Sequence, residues 1–402
     1  MASDTIQIDL FVAVIGQTVA EPAAPAVLVQ FSTCAPFGWG LDFTGELLCT
    51  VVFCALTIHL LERGIVLNRT LLMVTWLLPC MLVTACEAPG ETRHLVTIAG
   101  TTFPNTEGER HWLEFHDALA GTTELPLRLL IYGQLGSEDQ LVSGLRRGRL
   151  QFANLSAMAI STVVPEMALL YAPFLFDSEA EADYVYDNYL TPLYSEMLAA
   201  KGLHFISWYE IGMIQVYGKE PLLSPDDVSG RRFRVGAGPA ARNFARAVGA
   251  DVIPLGFADV VASLQTGLIE AGEQSISLYA RTGIAGEASH VTMTNHSFGV
   301  SAIVASKMWW DSLSALEQQA VTSAWPAVAE TRAAVRQESA LDLAAGEELG
   351  IVVHTLTPEQ RDQWRIATAA VTQQLIDTIG GRSGAIHAVI EHARIAYAAQ
   401  VE

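Results

Sequence analysis

Residues 231–238 read "RRFRVGAG" and put two arginines on a short strand. Side chains alternate along a strand, so Phe233 and Val235 share one face and Arg232 and Arg234 the other. Arg234 stands nearer the C-terminal end, just before a glycine turn and a helix spelled "PAARNFARAVGA". A guanidinium in that place can grip a carboxylate through two parallel hydrogen bonds. The partial positive charge of the helix start works in the same direction. Spacing alone leaves a second reading open, in which Arg234 is a surface arginine paired with one of the chain's many acids.

Patterns for catalysis are missing. The sequence has no GxSxG, no HExxH, no Walker loop and no GxGxxG opening a helix after a strand. "RVGAGPAAR" lacks the third glycine and carries Pro239, which makes it a poor dinucleotide loop. The histidines after Cys86 show no metal-ligand spacing; His111 and His116 lie five apart, off a common helix face. All five cysteines (Cys34, Cys49, Cys54, Cys80 and Cys86) precede residue 87, so the rest of the chain can hold neither a disulfide nor a thiolate nucleophile. No cofactor or metal is expected. Of 402 residues, 51% are hydrophobic and 16% charged, the balance of a globular protein. The formal net charge of -20 argues against a nucleic-acid partner, because no basic surplus neutralises phosphates.

Two apolar stretches stand before the globular part. "LLCTVVFCALTIHLL" (47–61) is shorter than the ~20 residues that span a bilayer as a helix. "TLLMVTWLLPCMLV" (70–83) follows Arg69, has the apolar length of a signal and ends in small residues. Leu82-Val83-Thr84-Ala85-Cys86 resembles the lipobox of bacterial lipoproteins, in which the cysteine carries a lipid. Residues 66–86 are then a lipoprotein signal, Cys86 the lipidation site, and 87–93 a polar tether. A plain signal, or an uncleaved anchor with an incidental cysteine, is the alternative. Residues 1–65 read as an over-long translated extension, or else as a genuine first membrane segment.

The elements that must position Arg234 alternate between strand and helix. Strands are expected at 94–103, 125–133 and 150–156, with a helix after each of the first two. The helix at 104–121 presents Trp112, Phe115 and Leu119 on one face; the one after Ser137 has Glu138 and Asp139 in its first turn. Residues 203–218 and 289–306 are long for single strands and could each cross between lobes. A helix of more than thirty residues is expected from 315 to 350, kinked at Pro326. The expected fold is therefore α/β and two-lobed, like a periplasmic binding protein, with lobe I at 94–211 plus 300–340 and lobe II at 212–299 plus 341–402. Its ligand would sit in the cleft between lobes, beyond the strand ends. Phe103, Trp208, Tyr209 and Phe257 are candidate aromatic walls for that cleft, each with an alternative place in the core.

In their order, "YGQLGSEDQLVSGLRRGRLQFA", "PEMALLYAPFLF", "DDVSGRRFRVGAG", "AVGADVIPLGFADVVASLQTGLIEAGEQ" and "VTMTNHSFGVSAIVASKMWWDSLS" resemble the solute-binding subunits of TRAP transporters, the DctP-like family. The resemblance covers roughly residues 94–395. It implies a periplasmic receptor that closes on a small organic acid and delivers it to membrane permease subunits. It puts Arg234 at the family's carboxylate-binding arginine. Gln274 stands where the family commonly has a ligand-contacting asparagine, and Asn295 and His296 in a stretch near the pocket. "EIGMIQVYG" has no arginine, which speaks against a sialic acid ligand. Two rivals remain at this point: an enzyme acting on a small carboxylate in the same cleft, and a receptor that signals instead of transporting.

Overall fold

The computed structural model describes residues 95–401 apart from Ala237. The expected extension, signal, lipidation site Cys86 and tether lie outside the described residues. No helix among the described residues is long and apolar enough to cross a membrane.

One mixed sheet of nine strands organises the chain: β1 (Val96–Ala99), β2 (Leu127–Leu130), β3 (Phe152–Ser156), β4 (Leu203–Gly218), β5 (Arg232–Val235), β6 (Asp251–Pro254), β7 (Ala271–Ser275), β8 (His290–Ser306) and β9 (Val352–Thr355). Their order is β2-β1-β3-β8-β4-β7-β5-β6, with β9 added on β8. The two long strands expected from the sequence, of 16 and 17 residues, pair antiparallel along their length. At ~3.3 Å per residue such a ladder runs roughly 50 Å, so one pair of strands serves both ends of the sheet. β8 takes β3 along residues 301–305 and β9 along 290–293. β4 takes β7 along residues 214–218. Each end then continues through parallel pairs, β1 with β2 and β3, and β5 with β6 and β7.

The ladder shifts register at three places, between Phe205 and Ser207, Glu210 and Gly212, and Ile214 and Val216. Gly212 has φ 99, a left-handed backbone that glycine adopts without steric cost, and it faces Gly299 at a register shift. A Cβ on Gly299 would lie 2.7 Å from the Gly212 carbonyl oxygen, so the two strands come too close there for any side chain. Further along, β8 advances from Thr292 to Ser297 while β4 advances from Val216 to Ile214. The surplus residues of β8 form a bulge carrying Thr294, Asn295 and His296.

Helix α1 (Glu107–Thr122) starts at the cap residue Thr106 and buries Trp112, Phe115 and Leu119. Helix α2 (Glu138–Arg146) opens on a capping box between Ser137 and Gln140. Helix α3 (Ala157–Ile160) is capped by Ser156 at the end of β3. Helix α4 (Glu179–Val185) runs into a π-turn at Tyr186–Leu190. Helix α5 (Pro239–Ala247) has proline in its first turn. The single kinked helix expected over 315–350 is instead two. Ala315–Ala324 ends before an extended Trp325, and α6 (Val328–Glu348) starts afresh. Pro326 lacks the N–H a continuous helix needs and drives the residue before it out of the helical region. Trp325 uses that extension to pack its ring on Trp112, at 4.8 Å between centroids, and on Phe115.

Phe233 and Val235 are fully buried in a cluster with Phe244 and Trp364. Each such side chain contributes about 1.5–3 kcal/mol by leaving water. Anchoring one face of β5 in this way fixes which direction Arg232 and Arg234 point.

Candidate functional site

A cavity of about 1020 Å³ opens beside the middle of the β4–β8 ladder. Asn154 and Ser156 reach it from the end of β3, Arg234 from the end of β5, and Glu273, Gln274 and Ser275 from β7. Its apolar wall includes Ile211, Ile214, Phe244, Leu255 and Phe257. Met158 of α3 closes over the glycine turn after β5: a Cβ on Gly238 would lie 2.4 Å from its sulfur, and one on Gly236 3.0 Å from its Cε. Elements from both ends of the sheet thus meet over the guanidinium, whose Nη2 is 3.9 Å from the same position on Gly236.

Arg234 is 8% exposed. Its Nε and Nη2 donate to the Leu255 carbonyl oxygen at 3.3 and 3.2 Å, and its Cζ lies 6.0 Å from the Phe257 ring centre. Among the described residues no carboxylate forms an ion pair with it. Arg232, two positions earlier, is 43% exposed and pairs with Glu270 at 2.9 Å. The alternation read from the sequence therefore holds, but only one of the two arginines faces the cavity.

His296 is 1% exposed. Its ring stacks on Phe244 at 3.9 Å. Nε2 lies 3.0 Å from Glu273 Oε2, and Nδ1 2.8 Å from Thr294 Oγ1. A carboxylate only accepts, so Nε2 carries the proton and the Thr294 hydroxyl can donate to Nδ1. Gln274 lines the cavity while its Oε1 accepts from the Ser275 amide at 3.0 Å. Phe103 and Phe257 meet edge to face at 6.0 Å at the cavity's edge. Tyr209 lines it as well, its hydroxyl 3.2 Å from His111 Nδ1. Burial drives the Tyr209 hydroxyl above its ordinary range and His111 below its own.

Two expected residues stand elsewhere. Trp208 is 3% exposed in the core, its Nε1 donating to Thr191 Oγ1 at 2.8 Å. Tyr209 and Trp208 are strand neighbours, and adjacent residues face opposite sides. Asn295 takes a left-handed backbone, φ 45, at the tip of the β8 bulge. Its amide donates to Gln215 Oε1 at 2.8 Å and its Oδ1 accepts from Gln215 Nε2 at 2.5 Å, so its side chain is held by β4 and not by the cavity.

Several lining groups gave no separate signal in the sequence. Glu138 was readable only as a helix-start acid. Its Oε1 and Oε2 accept from the Ser156 amide and hydroxyl, each at 2.7 Å, and burial raises its carboxyl above the usual range. Glu210 pairs with Arg336 of α6, through Nη2 at 2.6 Å. Burial pushes its carboxyl up to about 7 against the pull of that arginine. Asn154 and Ser275 line the cavity, and their Oδ1 and Oγ are buried without a hydrogen-bond partner. Unpartnered buried polar atoms cost free energy unless a ligand or water meets them. Among the described residues no group of three or more His, Cys, Asp or Glu could hold a metal ion.

Two ends of one sheet sharing a long ladder, with a polar-floored cavity beside it, define a solute-binding protein of the periplasmic type. Residues 109–378 match the DctP family, described as "Bacterial extracellular solute-binding protein, family 7". The chain belongs to that family of TRAP transporter solute-binding proteins, and it is a binding protein, not an enzyme. It is 26% identical over 281 residues to the ectoine/5-hydroxyectoine-binding periplasmic protein UehA of Ruegeria pomeroyi, covering 68% of this chain and 82% of that one. To the C4-dicarboxylate-binding periplasmic protein DctP of Vibrio cholerae it is 28% identical over 248 residues, covering 61% and 74%. The fold is shared with a TRAP periplasmic solute binding protein from Roseobacter denitrificans with bound beta-D-glucuronate. That comparison gives a TM-score of 0.70 and 23% identity, over 74% of this chain and 99% of that one.

Proposed function

We propose that this receptor captures a small organic carboxylate in the cavity beside the β4–β8 ladder, with Arg234 as its salt-bridge partner, and passes it to TRAP permease subunits. The observation that carries the reading is the buried guanidinium, directed into a cavity and lacking any carboxylate among the described residues. Burying an arginine without an anion is costly, and a ligand carboxylate would relieve that cost. Relatives named for ectoine and for C4-dicarboxylates, and a fold relative holding glucuronate, support a ligand of this chemistry. Gln274, His296, Tyr209, Phe103 and Phe257 complete the proposed site.

The portions on either side of Gly212 and Gly299 act as lobes in this reading, 94–211 with 300–340 against 212–299 with 341–402, and closing them desolvates the salt bridge. Cys86 tethers the receptor to a membrane through a lipid. Mass spectrometry of the mature chain checks the anchor: an acyl-modified Cys86 as the first residue is expected, and an unmodified one removes it. A thermal-shift screen of organic acids checks the site. An acid that binds only the folded state raises the melting temperature by mass action, and Arg234→Ala abolishes that rise. A rise that survives in Arg234→Ala would reject the salt bridge.

A further inference from the structure

The charges around the cavity are unequal. Glu138, Glu210, Glu273 and Glu338 all line it, against two arginines, Arg234 and Arg281. Arg281 is already committed, with Nε 2.7 Å from Asp342 and Nη2 3.2 Å from Glu338. His296 is committed to Glu273 and Arg336 to Glu210. Glu138 is held by Ser156 alone and has no cation among the described residues. One carboxylate of a ligand can therefore find a cation, at Arg234. A second would find no uncommitted cation among the described lining residues, only acids, neutral polar side chains such as Gln274, Ser277 and Thr102, and the apolar wall of Ile211, Ile214 and Leu278.

Taking the carboxylate reading as its basis, we propose that the receptor selects monocarboxylates whose remainder is neutral or cationic, and rejects dicarboxylates. The acids act against the wrong ligand: specificity arises as much from unpaired like charge facing a competitor as from contacts to the right partner. Hydroxyl, amide or ammonium groups on the remainder can donate to Glu138. A second carboxylate cannot. Like charges across a cleft of protein-like dielectric cost about one to two decades of affinity.

Titration calorimetry at pH 7.5 on matched pairs tests this: succinate with succinamate, glutarate with glutaramate, glucarate with glucuronate, and 4-aminobutyrate beside them. In every pair that binds, the monoanion is expected to be tighter by about 30-fold. Glu138→Gln should narrow that ratio by roughly tenfold, mainly by admitting the dianion. A dianion that binds as tightly as its partner, and loses binding in Arg234→Ala, overturns the selectivity and leaves the carboxylate site standing. Binding that is indifferent to Arg234→Ala overturns the site itself. If no probe binds, the solute released from the denatured purified receptor decides by mass spectrometry: a dicarboxylate refutes the proposal and a monocarboxylate upholds it.

Discussion

Arg234 lines the cavity and Arg336 pairs with Glu210, which also lines it, yet the two arginines have opposite electrostatic surroundings. Arg336 is saturated: its nitrogens reach Glu210, Asp183 and Glu179, at 2.6, 2.8 and 3.3 Å. Arg332, one turn earlier on α6, pairs with Asp187 at 2.7 Å and Asp183 at 3.1 Å. These contacts tie α6 to α4, the π-turn and β4. Arg234 has a single carbonyl and lies over an aromatic ring. An arginine whose donors are consumed within the chain braces the fold; one whose donors point into a cavity is available to a ligand.

The sharpest way to break this contrast is to remove each arginine and ask which property fails. Arg234→Ala should leave the fold intact, because Phe233 and Val235 still anchor β5, and should weaken ligand binding by about two to four decades, from the ~3–5 kcal/mol cost of breaking a desolvated charge pair. Arg234→Lys should fall between, since one ammonium replaces a planar fork. Calorimetry with the screened acid reads both, and wild-type affinity in the alanine variant would erase the distinction. Arg336→Ala should instead lower stability, by about 3–5 kcal/mol at pH 8, because Glu210 is left buried and unpaired. Urea denaturation measures it. Adding Glu210→Gln should recover most of the loss; if it does not, the damage comes from lost packing and not from the stranded carboxylate.

A smaller effect follows from Glu210 itself, whose side chain is 0% exposed. Its folded carboxyl titrates near about 7, raised by burial from an ordinary 4.5. The folded chain thus holds a proton that the unfolded chain releases at lower pH. The stabilisation from this proton is complete below pH 4.5 and is lost as pH rises through about 7. Across that window it amounts to about 3 kcal/mol. Glu210→Gln should flatten the corresponding part of the stability profile; an unchanged profile would assign the slope to other groups. The smallest effect belongs to Arg232→Ala. Its exposed pair with Glu270 is worth under ~1 kcal/mol, and ligand affinity should not change, although Arg232 sits two residues from Arg234 on the same strand face. A binding defect there would blur the line between brace and receptor.

Much of the frame was legible because its signals are local. The two long strands, the start of α2 at Ser137, and the alternation of Phe233, Arg234 and Val235 each depend on neighbours within a few residues. Pro326 was read as a kink in one helix, whereas it separates two, because Trp325 leaves the helix to reach Trp112 and Phe115, which are distant in sequence. Trp208 and Tyr209 show the same limit. Strand geometry says they face opposite sides, yet not which side meets the cavity. Asn295 looked like a pocket residue, and only the β8 bulge, which turns it toward Gln215, decides otherwise.

Sequence by itself determined that the chain alternates strand and helix, that an arginine stands near the end of a short strand beside a helix start, and that thiol chemistry is absent after Cys86. Tertiary structure alone decided which acids are spent on partners within the chain. Glu210 meets Arg336 across 126 positions, and Glu273 meets His296 across 23. The physical reason is that Coulomb energy depends on distance and burial in space, and neither is fixed by position along the chain.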